Sequence, residues 1–243
     1  MTDPLLRPVE RTRTYEVILR QVEDLLTSGR LSAGDRLPPE RALAEQLGVS
    51  RPSVREALKV LEALGVVETT GGQGRESGAV VVARPGTAIG AAMRLHVATR
   101  GLPIADLVET RALLESAAMR RLGHRVGTEP DGVALLAPAE DLLARMRSPD
   151  LSPQEFHHLD TAFHLALADA AGNVVVHVVM ASLREAIEGY VVDAVPRLPD
   201  WRTTSAGLRR QHAAILTALR KGDGETAASV VDRHIHQFFA RTR

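Results

Sequence analysis

The chain has 243 residues, 30 of them basic and 30 acidic, with 44% hydrophobic side chains and no cysteine. That length allows one large domain or two modest ones with a real core, in an ordinary soluble composition. Disulfides and thiolate metal sites are excluded, so a bound metal must use His, Asp, Glu or water.

No apolar run reaches the roughly 18 residues that span a bilayer, and the first residues lack a signal-peptide core, so a cytoplasmic protein is expected. Zero net charge gives no global hint of a polyanionic partner. Locally, residues 1–83 carry eleven basic and twelve acidic side chains, whereas residues 30–60 carry six basic against four acidic. A DNA-binding reading of that region therefore needs an arginine-lined face, with its acids pointing elsewhere.

In chain order, residues 1–12 are polar and proline-containing, which predicts a mobile arm. Over residues 14–28, Tyr15, Ile18, Leu19, Val22, Leu25 and Leu26 recur at helical spacing, and Gly29 stops that helix. After the loop LSAGDRLP, a short helix should open at Pro39 or Glu40 and close at Leu47. Gly48 turns the chain, and Ser50 can cap a third helix over residues 51–64, with Pro52 tolerated in its first turn. Its inward face should be Val54, Ala57, Leu58, Leu61 and Leu64, which leaves Arg51, Arg55 and Lys59 on the other side. Two β-prone runs, VVETT and AVVVA, then flank the glycine-rich loop GGQGRESG, so a hairpin wing follows a helix-turn-helix. This first unit, residues 1–83, should close near Ala83.

Residues 84–101 read as a linker and first connecting helix, and residues 102–243 as an all-helical unit. Helices are expected to begin near residues 87, 103, 130, 152, 174, 201 and 223, with Gly, Asn and Pro breaking the pattern between them. The third should break or kink at Pro138. The predicted fold class is mostly α: a winged helix-turn-helix, then an antiparallel bundle of about six to seven helices.

Within that bundle, Asp160 and His164 stand four residues apart in DTAFHLAL, on one helix face. His212 and His234 occur once each in the strongly helical segments RRQHAAIL and VVDRHIHQF. Four ligand-type side chains from neighbouring helices can thus converge on one divalent ion. His158 lies on another face from His164, His236 is turned about 200° from His234 on an ideal helix, and His157 stands seven positions before His164. These three read as surface or supporting residues.

Two motifs carry a family resemblance. Residues 34–44 spell G-x-x-L-P-x-E-R-x-L-A, and residues 48–58 spell G-V-S-R-x-x-V-R-E-A-L. The stretch 31–67 resembles the winged helix-turn-helix of the GntR transcription regulators. The resemblance implies a recognition helix in the major groove, with Arg41, Arg51 and Arg55 as the main DNA contacts and Gly72 at the wing tip. Ser50 and Ser53, at the helix start, suit phosphate oxygens, while an arginine can grip a guanine edge with two hydrogen bonds. The wing is longer than usual for the family, and Arg75 reads either as a minor-groove or phosphate contact or as a partner of Glu76.

From about residue 100 to 240 the chain resembles the FCD-type ligand-binding domain of the FadR-like branch of that family, on the strength of Asp160, His164, His212 and His234. The resemblance implies a divalent metal ion, zinc foremost with Ni or Mn also suited, whose open positions accept the carboxylate and hydroxyl of a small organic acid. Since the imidazoles must be neutral, metal affinity is expected to fall as pH drops through about 6.5. Arg111, in LVETRALLESAAMRRL, is expected to face the cavity and hold the effector carboxylate, with a salt bridge to Glu109 or Glu115 as the other reading. Asn173 reads as polar cavity lining or as a helix stop. The function predicted is a homodimeric transcriptional regulator, a repressor, that binds a palindromic double-stranded DNA operator and answers to a small organic acid. It is not predicted to be an enzyme. A metal-dependent hydrolase or lyase on the same Asp/His cluster is the alternative, because catalytic metal sites also keep open positions.

Overall fold

Apolar residues at helical spacing resolve into two separate cores in the computed structural model, which describes residues 14–70, 78–148, 151–195, 198 and 200–242. The chain divides into the units Met1–Ala88 and Ile89–Arg243. In the first, α1 (Thr14–Thr27), α2 (Glu40–Leu47) and α3 (Arg51–Ala63) precede an antiparallel pair, β1 (Val67–Thr70) and β2 (Gly78–Val81). Val67 faces Val81 and Thr70 faces Gly78 across the ladder. Ile18, Val22, Val54, Ala57, Leu58 and Leu61 form the helical side of its core, and Val67, Ala79 and Val81 close it.

Gly48 sets the angle between α2 and α3. It adopts φ +64° in the left-handed region, where its N–H reaches the carbonyls of Ala44 and Glu45 and ends α2. Ser50 then caps α3 by accepting the Ser53 N–H at 3.3 Å. The expected inward position of Leu64 is not realised: α3 ends at Ala63, and Leu64 at the cap is 49% exposed. The unit also extends past Ala83, because the Val82 N–H bonds Val66 O at 2.8 Å and the Arg84 N–H bonds Gly65 O at 3.1 Å. The arm at 1–12 and the wing residues Gly72 and Arg75 lie outside the described residues.

The boundary between the units falls within α4 (Pro85–Ala98). The second unit continues through α5 (Ile104–Thr128), a 3-10 turn (Gly132–Leu136), α6 (Ala137–Arg145), α7 (Pro153–Ala170), α8 (Val174–Ala194), α9 (Trp201–Arg220) and α10 (Gly224–Thr242). The break expected at Pro138 is real and has a simple form. The 3-10 turn hands over to α6 with Pro138 in the first helical turn, where the missing N–H costs nothing. A capping box starts α7: the Ser152 hydroxyl accepts the Glu155 N–H, and the Glu155 carboxylate accepts the Ser152 N–H at 2.8 Å. Among the described residues no helix is long and apolar enough to cross a membrane.

Helices α5 and α10 run antiparallel in near backbone contact. Ser116 meets Ala228, Arg120 pairs with Glu225, and Gly123 abuts Gly224. A Cβ on Gly123 would collide with the Gly224 backbone, and one on Gly224 would sit 2.8 Å from the Arg120 Cα. Gly123→Ala is therefore expected to destabilise the second unit by about 1–3 kcal/mol in urea unfolding, the usual cost of overpacking. An unchanged unfolding midpoint would show that the two helices are free to move apart.

Candidate functional site

Asp160 and His164 come from α7, His212 from α9 and His234 from α10, and one donor atom of each lies within 4.8 Å of the others. All three imidazoles are buried. His164 Nε2 stands 3.2 Å from His234 Nε2, and Asp160 Oδ1 lies 3.1 Å from His212 Nε2, 3.7 Å from His164 Nε2 and 3.9 Å from His234 Nε2. Metal–nitrogen bonds of about 2.0–2.1 Å put two ligands about 3.0 Å apart at a right angle and about 3.4 Å apart at the tetrahedral angle. The spacings fit one ion.

Partners on the far side of the rings settle which nitrogens face inward. His164 Nδ1 lies 2.6 Å from Glu115 Oε2, close but out of line for a hydrogen bond, and a proton on Nδ1 is the tautomer that avoids opposing two lone pairs there. The Gln211 carboxamide donates to Gln237 Oε1 at 2.8 Å, so its own oxygen receives His234 Nδ1–H at 2.9 Å. Both Nε2 atoms are therefore acceptors, with lone pairs directed at one another. His212 Nε2 is out of line for a hydrogen bond to Asp160, and neither of its ring nitrogens has a hydrogen-bond partner. Two opposed lone pairs and an unpartnered buried imidazole are costly alone and favourable around a cation.

A layer of charge surrounds these four. Glu115 is 1% exposed and receives Arg111 Nε at 2.6 Å and Arg184 Nη2 at 2.9 Å, while Arg184 Nη1 reaches Asp160 Oδ2 at 3.4 Å. That leaves Oδ1 of Asp160 for an ion. Burial pushes both carboxyls up, but the charges around them win. Arg111, His164 and Arg184 hold Glu115 well below the usual carboxylate range, and His164, His212 and Arg184 do the same for Asp160. Burial lowers His164 to about 4, with Arg184 working in the same direction against Glu115, and burial with His212 and His164 holds His234 well below the usual imidazole range. Protons compete for these nitrogens at a lower pH than the 6.5 expected from an unperturbed histidine.

Beside the cluster lies a cavity lined by Arg111, His157, Asp160 and His234 together with Phe156, Val191, Val195, Trp201, Leu208, Ile235 and Phe238. Arg111 fulfils both readings, since its Nε pairs with Glu115 while it also lines this space. Asn173 is a correction. Its carboxamide oxygen caps α8 by accepting the Val175 and Val176 N–H groups at 3.1 and 3.2 Å, and it lies outside the cavity wall. His157, read as a surface or supporting residue, joins the wall three positions before Asp160, while His236 is exposed and held by the Asp232 carbonyl.

In the first unit, Arg41 and Arg51 are exposed, and Ser50 and Ser53 share a 2.9 Å hydroxyl contact at the start of α3. Arg55 is engaged by Glu40 on α2 through Nε at 3.2 Å and Nη2 at 2.8 Å. No sequence cue marks Glu40 for this role, nor Arg184 and Gln211 for theirs at the Asp/His cluster. Glu115 was visible only as a helical ion-pair partner of Arg111.

The head presents an exposed, arginine-bearing helix, and the bundle holds an Asp/His cluster beside a cavity. Residues 14–76 match the bacterial regulatory proteins of the gntR family, and residues 106–237 match the FCD domain. The chain belongs to the GntR family of DNA-binding transcription regulators, in the branch that carries an FCD domain. It is 35% identical over 212 residues to the Glc operon transcriptional activator of Escherichia coli (strain K12), covering 86% of this chain and 81% of that protein. It is also 27% identical over 240 residues to the HTH-type transcriptional repressor NanR of Cronobacter sakazakii, covering 96% and 87%. A solved structure titled Streptococcus agalactiae GntR shares the fold at TM-score 0.66 and 22% identity, over 92% of this chain and 98% of that one. These families and relatives are transcription regulators, not enzymes, and they give no support to the hydrolase or lyase alternative.

Because Glu115 fixes the tautomer of His164, Glu115→Gln is expected to weaken metal binding about 10–100-fold, the usual cost of losing such a support. Competition against a chelating indicator measures it. Unchanged affinity would mean that Glu115 does not orient the ring.

Proposed function

We propose that the chain is a carboxylate-responsive transcription regulator in which Asp160, His164, His212 and His234 hold a divalent ion, zinc by preference with Ni or Mn also suited to the donor set. Arg111 grips the carboxylate of a small organic acid that also supplies oxygen to the ion. The observation that carries this reading is the charge balance of the site. Arg111 and Arg184 offset Glu115 and Asp160, and imidazoles that ligate a metal do so in the neutral form, so a divalent ion leaves the cavity cationic and in need of an anion.

Residues 1–83 act as the reading head and residues 102–243 as the metal, effector and dimerisation domain, in a cytoplasmic protein. As a homodimer the protein presents two α3 helices to a palindromic operator, with Arg41, Arg51 and Arg55 on bases and phosphates and Ser50 and Ser53 on phosphates. Gly72 and Arg75 reach the DNA from the wing. Glu40 holds the Arg55 side chain in place for this contact. The effector acts by binding one arrangement of the heads more tightly than another. The named relatives include both an activator and repressors, so the expected sign, repression, is not carried forward.

An electrophoretic shift on a palindrome upstream of the protein's own coding sequence tests the reading. Arg51→Ala with Arg55→Ala should weaken binding by at least tenfold, as about 1–3 kcal/mol per arginine–guanine pair requires. Full affinity in that double variant at moderate salt would refute the DNA assignment.

A further inference from the structure

The cavity beside the metal cluster is lined by four polar and seven apolar or aromatic side chains. The polar ones are Arg111, His157, Asp160 and His234, and Arg111 is the sole fixed cation in the wall. Its Nε is taken by Glu115, whereas its two terminal amino groups make no hydrogen bond to the described residues. The rest of the lining is Phe156, Val191, Val195, Trp201, Leu208, Ile235 and Phe238, and His157 also shares a neighbouring recess with Val191 and Val195. Phe156 and Trp201 meet edge to face with ring centres 5.4 Å apart, which leaves aromatic surface turned to the cavity. Apart from the Trp201 indole N–H, none of these seven side chains offers a polar atom.

We propose that the effector is an amphiphilic monocarboxylate: one carboxylate joined through one or two carbons to an aryl or branched-alkyl group. The inference rests on the carboxylate reading given above and adds the chemistry of the remainder of the ligand. A second carboxylate would enter among the apolar side chains with no cation to meet it, and the hydroxyls of a sugar acid would lose water there without gaining partners. An apolar ring loses nothing on entry and packs against Phe156, Trp201 and Phe238.

Isothermal titration calorimetry on the zinc-loaded full chain, with phenylacetate, glycolate, malonate and glucuronate as probes, tests the proposal. Phenylacetate should bind at least about tenfold more tightly than the other three, as burial of an aryl group implies. Val191→Phe, which adds bulk to the apolar lining, should abolish that advantage while glycolate still binds. Isovalerate in place of phenylacetate checks the same preference on the unaltered protein. Equal or tighter binding of glycolate, malonate or glucuronate would overturn the amphiphile and leave the carboxylate reading standing. Binding of none of the probes to protein holding its zinc would sink the carboxylate reading and this inference with it.

Discussion

Two imidazole lone pairs face each other across 3.2 Å where both rings are almost fully buried. Nothing in the protein can turn either away. Glu115 takes the proton side of His164, and Gln211, itself held by Gln237, takes the proton side of His234. The arrangement makes physical sense only around a positive charge. Much of the second unit places these atoms: the capping box fixes where α7 begins, and the Gly123–Gly224 contact fixes how deep α10 sits against α5.

The same constraint explains why five helices surround one small cluster. Glu115 on α5 and Arg184 on α8 are not ligand positions, yet both are nearly as buried as the histidines. Removing either would leave an uncompensated charge in the core, which is costlier than never having placed the pair. With the shell balanced, the charge of an added ion is expressed in the adjoining cavity. An anion entering there meets Arg111 and the ligand side chains Asp160 and His234 at once.

Much of this was legible in the sequence. Asp160 and His164 at i and i+4 announce a shared helix face, and the two further histidines each sit in a strongly periodic helix. The reading head was clearer still, because Gly48, Ser50 and the apolar positions of α3 serve turn, cap and core in one short run. What remained hidden depends on contacts between helices distant in sequence. Glu115 and Arg111 at i and i+4 look like any surface ion pair, and nothing links either to His164, 49 and 53 positions further on. Arg184 has no periodic cue, and Gln211 is masked by its neighbour His212. Asn173 misled in the other direction, since a polar residue between two helices serves equally well as a cap or as a cavity wall. His157 stands seven positions before His164, within about 20° of it on an ideal helix, so its place in the cavity wall follows from the same spacing that joins Asp160 to His164.

If the four donors exist to hold an ion, the metal content of the protein is the direct observable. Untagged protein, stripped with chelator, reloaded with zinc and dialysed, should retain one ion per chain by elemental analysis. Protein carrying both Asp160→Ala and His234→Ala should retain essentially none while remaining folded. One ion per chain in both proteins, or none in either, would contradict the assignment of the cluster as a metal centre.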